Sequence, residues 1–272
     1  MENEHNFDQY PQMKQVLIVI FLTLAITFLV GVVGAMIGAR TELFLLEALI
    51  IFPALIFTLK NKYSVVQIFR LRKVNLKVIL ISIILGCAFT IVSDEIDRIV
   101  QIFFPMPEEL LNAITAALKI ETISDFIIIA FSAVVVAAIV EEMLFRGFVQ
   151  TSLEHQFDVT KAVMSTALFF VIFHFNPWWS IQVMIFGIIL GVIAWKSNSI
   201  IPSIIMHAIN NSVALLITNI NPKNMEWYLY KNHVNILILI IAILATVFGI
   251  KLLYRFCETS LSNQNNSDFD NM

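Results

Sequence analysis

Charge is scarce in this chain. Asp, Glu, Lys and Arg make up 14% of its 272 residues, while apolar side chains reach 59%. An ordinary soluble domain carries about 25% charged and about 45–50% apolar residues. The balance excludes a soluble globular protein and predicts an all-α, polytopic membrane protein. No basic patch is available to neutralise phosphates, so nucleic acid is excluded as a partner. The net charge of −3 says nothing about partners, because the charges are confined to loops. Cysteine is nearly absent. Cys87 lies in an apolar run and Cys257 in the tail, a pattern that excludes a disulfide framework or a thiolate metal site. They read as a packing residue and a free tail thiol. Two catalytic signatures are also missing: a His-Glu-x-x-His zinc motif and a credible Ser-His-Asp set.

What the chain has is apolar runs. A membrane-spanning helix needs about 20 mostly apolar residues, and eight runs are candidates: Gln15–Gly38, Leu43–Leu59, Val78–Ser93, Phe126–Val149, Ala162–Phe175, Trp179–Trp195, Ile200–Ile220 and Val234–Leu253. The first follows a polar leader. It is too long for the apolar core of about 7–15 residues in a secretory signal, and so reads as a retained span. Ile96–Phe104 shows helical spacing of apolar residues and reads as an amphipathic segment on the membrane surface. The tail after Glu258 is polar and is expected to be disordered. The chain divides into N-terminal spans with the amphipathic segment (1–120), a helical core (121–220), and a last span with a polar tail (221–272).

Orientation follows Lys and Arg in short loops. Lys60, Lys62, Arg70, Arg72, Lys73 and Lys77 mark the loop after the second span as cytoplasmic. The acidic stretch from Asp94 to Asp125 then faces out. Eight spans place both termini in the cytoplasm.

Ionisable groups inside a bilayer are expensive, by roughly 2.5–3.5 kcal/mol each on insertion scales. Glu141, Glu142 and Arg146 lie within six residues at the end of an apolar run. Glu142 precedes Arg146 at i, i+4, the favourable order for an internal ion pair. Glu141 is turned about 100° from Glu142 and is free for another partner. Other apolar spans hold His174, four residues after Phe170, and His207, which shares a helix face with Asn211. Taking Phe157 as the turn between two antiparallel helices, Glu141 lies 16 residues before it and His174 lies 17 after. Both then sit at one depth, about 24–26 Å from the turn.

A carboxylate beside an imidazole can hold and deprotonate a water. A second histidine and an amide on one helix face offer donors to an oxyanion. Water-mediated hydrolysis fits this inventory with no cofactor required. Zinc held by Glu141, His174 and His207, with an open water position, is the mechanistic alternative. For a lone histidine, a polar network that only ties helices together is the better reading. Glu, Glu, Arg, two His and an Asn on three helices favour a site. Asn210 points away from the His207 face and reads as interhelical glue. Glu47 reads as snorkelling or pairing with Arg40. His5, His155 and His233 read as solvent-exposed. The pairs Gly34/Gly38 and Gly187/Gly191 read as close helix packing.

Glu141-Glu142-x-x-x-Arg146, Phe170-x-x-x-His174 and His207-x-x-x-Asn211, with Leu-Phe-Arg-Gly after the paired glutamates, resemble the motifs of the CPBP family. These are CAAX prenyl endopeptidases and bacteriocin-processing enzymes, also called the ABI family. The resemblance covers about Ser124 to Ile220. It implies an intramembrane endopeptidase in which Glu141 and His174 activate water, Glu142 and Arg146 shape the site, and His207 and Asn211 stabilise the oxyanion. The implied partner is a peptide or membrane-protein substrate within membrane lipid. The chain's compact size suggests a bacterial member in the cytoplasmic membrane. The rival from another class is a non-catalytic membrane immunity or scaffold protein with the same fold.

Overall fold

The computed structural model describes residues 10–37 and 47–269. His5, Gly38 and Arg40 lie outside them. Almost everything described is helix. α1 spans Met13–Ile37, and a 3-10 turn, Glu47–Ile51, leads into α2, Phe52–Lys60. Pro53 stands in the first turn of α2, where a missing N–H costs nothing. After a single turn at Val65–Ile68 come α3 (Leu76–Phe103) and α4 (Glu108–Ala117). α5 runs from Ile123 to Glu154 as one apolar helix. Then follow α6 (Val159–Phe173), α7 (Ser180–Ser197), α8 (Ile201–Asn219) and α9 (Ile236–Phe269). A two-residue antiparallel pair, β1 (Leu229–Tyr230) and β2 (His233–Val234), is the one sheet among the described residues.

Local chemistry sets several of these starts. The Asn75 side chain accepts from the Lys77 N–H ahead of α3. Thr122 and Asp125 form a reciprocal capping box on α5, and Asp158 accepts from the Lys161 N–H on α6. Each pairs an N–H that the first helical turn would leave unbonded. α7 ends at Asn198 in the left-handed region, φ 49°, where asparagine is better tolerated than most residues.

Six helices are long and apolar enough to cross a membrane, and Val159–Phe173 is a shorter apolar helix. The molecule is an all-α polytopic membrane protein. Large apolar side chains such as Phe21, Phe28, Phe126, Phe131, Leu237 and Phe248 are exposed on the outside of the bundle, as lipid-facing residues must be. α3 is the central helix, packed on α9 on one side and α8 on the other. α8 in turn packs on α5, and α5 packs on α6 and on the Glu47–Ile51 turn. α6 and α7 form an antiparallel hairpin against them.

Several expectations change, and Cys87, expected to be a packing residue, is exposed. The amphipathic segment is not a separate surface helix but the last turns of α3, which carry Asp94, Glu95, Asp97 and Arg98 out of the apolar core. Tertiary partners stabilise those charges. Arg98 pairs with Asp94 at 3.0 Å, the Tyr228 hydroxyl donates to Asp94 at 2.8 Å, and Glu95 takes the Val234 N–H and the His233 ring at 2.7 Å each. His233 is thus engaged with Glu95, although half-exposed. Burial, with Asp94 beside it, holds the Tyr228 phenol above the usual tyrosine range, so it remains a donor. Of the second candidate span, the described part is the 3-10 turn and the nine-residue α2, and 43–46 lie outside the described residues. The polar tail continues α9 through Phe269, because adding residues to an existing helix avoids the cost of a nucleus. Cys257, expected to be a free tail thiol, is buried against the core.

Candidate active site

α5 is regular only in part. Two π-helical segments, Ala130–Val136 and Met143–Val149, flank an α-helical turn, Ala137–Glu142, that ends on the paired glutamates. Wider π turns re-aim side chains and recur at functional sites. Here the Ala133 carbonyl, in the first π segment, accepts the Asn211 amide of α8 at 2.8 Å.

Glu142 and Arg146 are wholly buried, with both side chains 0% exposed and a 2.8 Å ion pair between Arg146 Nη1 and Glu142 Oε1. The same Oε1 lies 2.9 Å from His207 Nδ1, so that nitrogen carries the proton. Arg146 Nη2 donates to the Gly187 carbonyl at 3.2 Å. Its guanidinium carbon stands 4.2 Å from the centre of the Phe170 ring. Phe170 is the hub of the arrangement. Its ring meets His174 edge-on at 4.6 Å and His207 at 5.8 Å. Phe186 closes the other side of His207, also at 5.8 Å.

α6 stops at His174 because Phe175 takes a left-handed backbone, φ 48°, and Pro177 follows Asn176. The stop places His174 at a helix end with its Nδ1 2.8 Å from the Phe170 carbonyl. A carbonyl only accepts, so Nδ1 carries a hydrogen, which in the neutral ring makes Nε2 the lone-pair nitrogen. His207 Nε2 lies 3.9 Å from Glu141 Oε2, an oxygen that is buried and has no hydrogen-bond partner.

A cavity of about 280 Å³ joins these groups. Glu141, His174 and Asn211 line it, with Thr27 of α1, Glu47 and Phe145. A smaller cavity of about 40 Å³ lies on the other side of His174 and Asn211, lined by His207, Asn210, Ser93 and Gln182. All six predicted residues therefore converge. Glu141, His174, His207 and Asn211 reach the two cavities, and Glu142 and Arg146 brace them from behind. Two residues differ from expectation. Asn210 reaches the smaller cavity instead of serving as glue between helices. Glu47 lines the larger one. The signal for Glu47 was present, an acid in an apolar run shortly before Pro53, but its distance along the chain from Glu141 hid the relation.

The glycine pair does more than thin a helix. A Cβ at Gly187 would lie 3.1 Å from the Ala167 Cβ, and one at Gly191 would lie 2.8 Å from Gln150 Oε1. The missing side chains let α7 approach closely enough for its carbonyls to accept from Arg146 and from Gln150, the latter at 2.8 Å.

Among the described residues no three His, Cys, Asp or Glu side chains are grouped as metal ligands. The zinc set of Glu141, His174 and His207 is thus not assembled in this structure.

Comparison with known proteins agrees with the motifs. Residues 123–213 match the family model described as type II CAAX prenyl endopeptidase Rce1-like, a family within CPBP. No curated protein and no solved structure matches the chain. The matched stretch is about a third of the chain and contains α5 to α8 as far as Val213, with every residue of the three motifs. The chain carries an Rce1-like region, and the match supports a CAAX-type intramembrane protease role in general.

Proposed function

We propose, taking the Rce1-like region as the premise, that this protein is an intramembrane endopeptidase acting on a peptide or membrane-associated protein through a water activated by Glu141 and His174. The observation that carries the reading is the shared cavity: an unpartnered Glu141 oxygen, His174 and Asn211 face one space large enough for a water and a short stretch of peptide. Glu141 takes a proton from the water, and the lone pair of His174 Nε2 orients it. The resulting oxyanion meets the second amide hydrogen of Asn211, whose first is spent on Ala133. It also meets His207 Nε2, which donates when the ring carries both protons. Glu142 fixes the His207 ring through Nδ1, and donors held in place in this way need no reorganisation during the reaction.

The basic end of the bundle gathers Lys77 with Phe256 of α9 and Arg70 with Glu154. Under the positive-inside rule this end is cytoplasmic. The cavity is then displaced towards the opposite half, since Glu141 stands about 20 Å along α5 from Glu154 at 1.5 Å per residue.

The test compares short peptides and small membrane proteins in cells carrying the wild type or Glu141→Gln, followed by reconstitution in nanodiscs with an internally quenched peptide chosen from the differences. The expected result is substrate accumulating in the variant and cleavage by purified wild type alone. Biological activity that survives Glu141→Gln, yet is lost when bulky residues fill the cavity, would instead identify a binding protein.

A further inference from the structure

Amide hydrolysis needs an acid as well as a base, because an amide nitrogen leaves only with a proton. Glu141 and His174 both act on the water, and neither is set aside as an acid for the leaving nitrogen. Glu142 is wholly buried and its Oε1 serves both Arg146 and His207. His174 Nε2 offers a lone pair and no hydrogen, since Nδ1–H is on the Phe170 carbonyl. Glu141 would have to take a proton from water and then return it to nitrogen.

A further carboxyl stands on the same space. Glu47 opens the 3-10 turn that packs on α1 and α5, and it lines the larger cavity with Glu141, His174, Asn211 and Thr27. Its Oε2 is buried and without a hydrogen-bond partner, as is Glu141 Oε2. Among the described residues, the other ionisable groups facing this space are Glu141 on α5 and His174 at the end of α6. Thr27 of α1 and Asn211 of α8 are neutral, and Arg146 is committed behind the wall to Glu142 and Gly187. Two carboxyls face this one space, with no lysine or arginine in its described lining, and carboxyls that share a site do not readily ionise together.

We propose that Glu47 is a second catalytic carboxyl of this site, the acid that protonates the leaving amine while Glu141 serves as the base; the proposal rests on the peptidase reading above. As the water oxygen bonds to the carbonyl carbon, one water proton passes to Glu141 and an oxyanion forms. The oxyanion collapses, the C–N bond breaks with its electron pair moving to nitrogen, and nitrogen takes the proton from Glu47. Carboxylic acid and amine leave. The proton on Glu141 then returns to the Glu47 carboxylate, which restores the starting state.

The test exploits the leaving group. Purified protein in nanodiscs is assayed on an internally quenched peptide that the wild type cleaves and on a nitrophenyl ester of the same acyl sequence, whose leaving group departs without a proton. Glu47→Gln keeps the shape and removes the acid. The expected result is a loss of ~10²-fold or more in kcat on the peptide with the ester rate within about threefold of wild type. Glu47→Asp should regain at least about tenfold over Gln on the peptide. Equal losses on both substrates would mark Glu47 as structural, and an undiminished peptide rate in Glu47→Gln would remove it from the reaction; either overturns the proposal. Glu141→Gln run beside them must lose both activities. If it keeps them, the peptidase mechanism itself fails, independently of Glu47.

Discussion

Oε1 of Glu142 stands 2.9 Å from His207 Nδ1 and 2.8 Å from Arg146 Nη1, so one oxygen ties α5 to α8 and neutralises a guanidinium that no solvent reaches. This relation ties Glu142 into the frame of the candidate site, while Glu141 Oε2, one residue earlier, carries no hydrogen bond. The two neighbours should respond to mutation in different ways.

Glu142→Ala leaves a buried arginine without its counter-charge. Removing one partner of a buried pair costs about 3–5 kcal/mol, so a large drop in thermal unfolding midpoint is expected along with the loss of activity. The double variant Glu142→Ala/Arg146→Met should unfold at a higher temperature than Glu142→Ala alone, because the stranded charge is gone. A double variant no more stable than the single would mean the pair does not carry the coupling described here.

Glu141→Gln and His174→Ala should behave oppositely. Glu141 Oε2 has no hydrogen bond to lose, and His174 gives up one hydrogen bond to a backbone carbonyl at a helix end. Both variants are expected to accumulate folded, with melting profiles near wild type, and to lose ~10²-fold or more in kcat. Cleavage at wild-type rate by either one would reject the assigned role.

Phe170 joins three site residues through its ring. Phe170→Ala should cost about 3–5 kcal/mol in stability. Phe170→Leu keeps most of the volume but loses the guanidinium and imidazole contacts. Its expected signature is a fall in kcat larger than its change in thermal midpoint would suggest. A variant with unchanged kcat would show that Phe170 only fills space.

Gly191→Ala places a methyl group 2.8 Å from Gln150 Oε1, and Gly187→Ala places one 3.1 Å from the Ala167 Cβ and 3.3 Å from its Cα. Overpacking of this kind costs about 1–3 kcal/mol. Gln150 is buried with its amide held by the Gly191 carbonyl and Glu154, and Val163 Cγ1 stands 3.1 Å from the Gly191→Ala methyl. Gly191→Ala is therefore expected to be the more damaging of the two in detergent unfolding, and the reverse order would contradict the packing described.

Tyr228→Phe serves as the distant control. It removes the hydrogen bond to Asp94 of α3, beside the strand pair and away from the two site cavities, and should cost about 1 kcal/mol while leaving kcat unchanged. A catalytic defect in this variant would link the outer hairpin to the site.

Much of this arrangement was legible in the chain. Apolar run lengths announced the helices, and the intramembrane charges announced the site, because burying Glu141, Glu142 and Arg146 in lipid without internal partners is prohibitively costly. The i, i+4 spacing of Glu142 and Arg146 foretold their ion pair. Counting from Phe157 placed Glu141 and His174 at one depth, and the two do line one cavity. Other relations were invisible for physical reasons. Local polarity makes 96–104 look like an independent surface helix. It belongs to α3 because Tyr228, His233 and Val234, some 130 residues later, satisfy Asp94 and Glu95. An i, i+1 step on an ideal helix turned Asn210 away from the cavities, but it lies on the smaller one, whose walls come from α3 and α7 as well as α8.

By itself, then, the sequence determined that this is a helical membrane protein whose intramembrane charged and polar residues fall on three motifs, because hydropathy and the price of burying charge are properties of residues along one segment. The tertiary structure decided which oxygen His207 holds, which nitrogen of His174 carries a hydrogen, and that Glu47 belongs beside Glu141. Those relations depend on side chains from different helices meeting at a few ångströms. Such distances follow from how helices cross and where π turns and glycines let them approach, and no spacing along the chain encodes them.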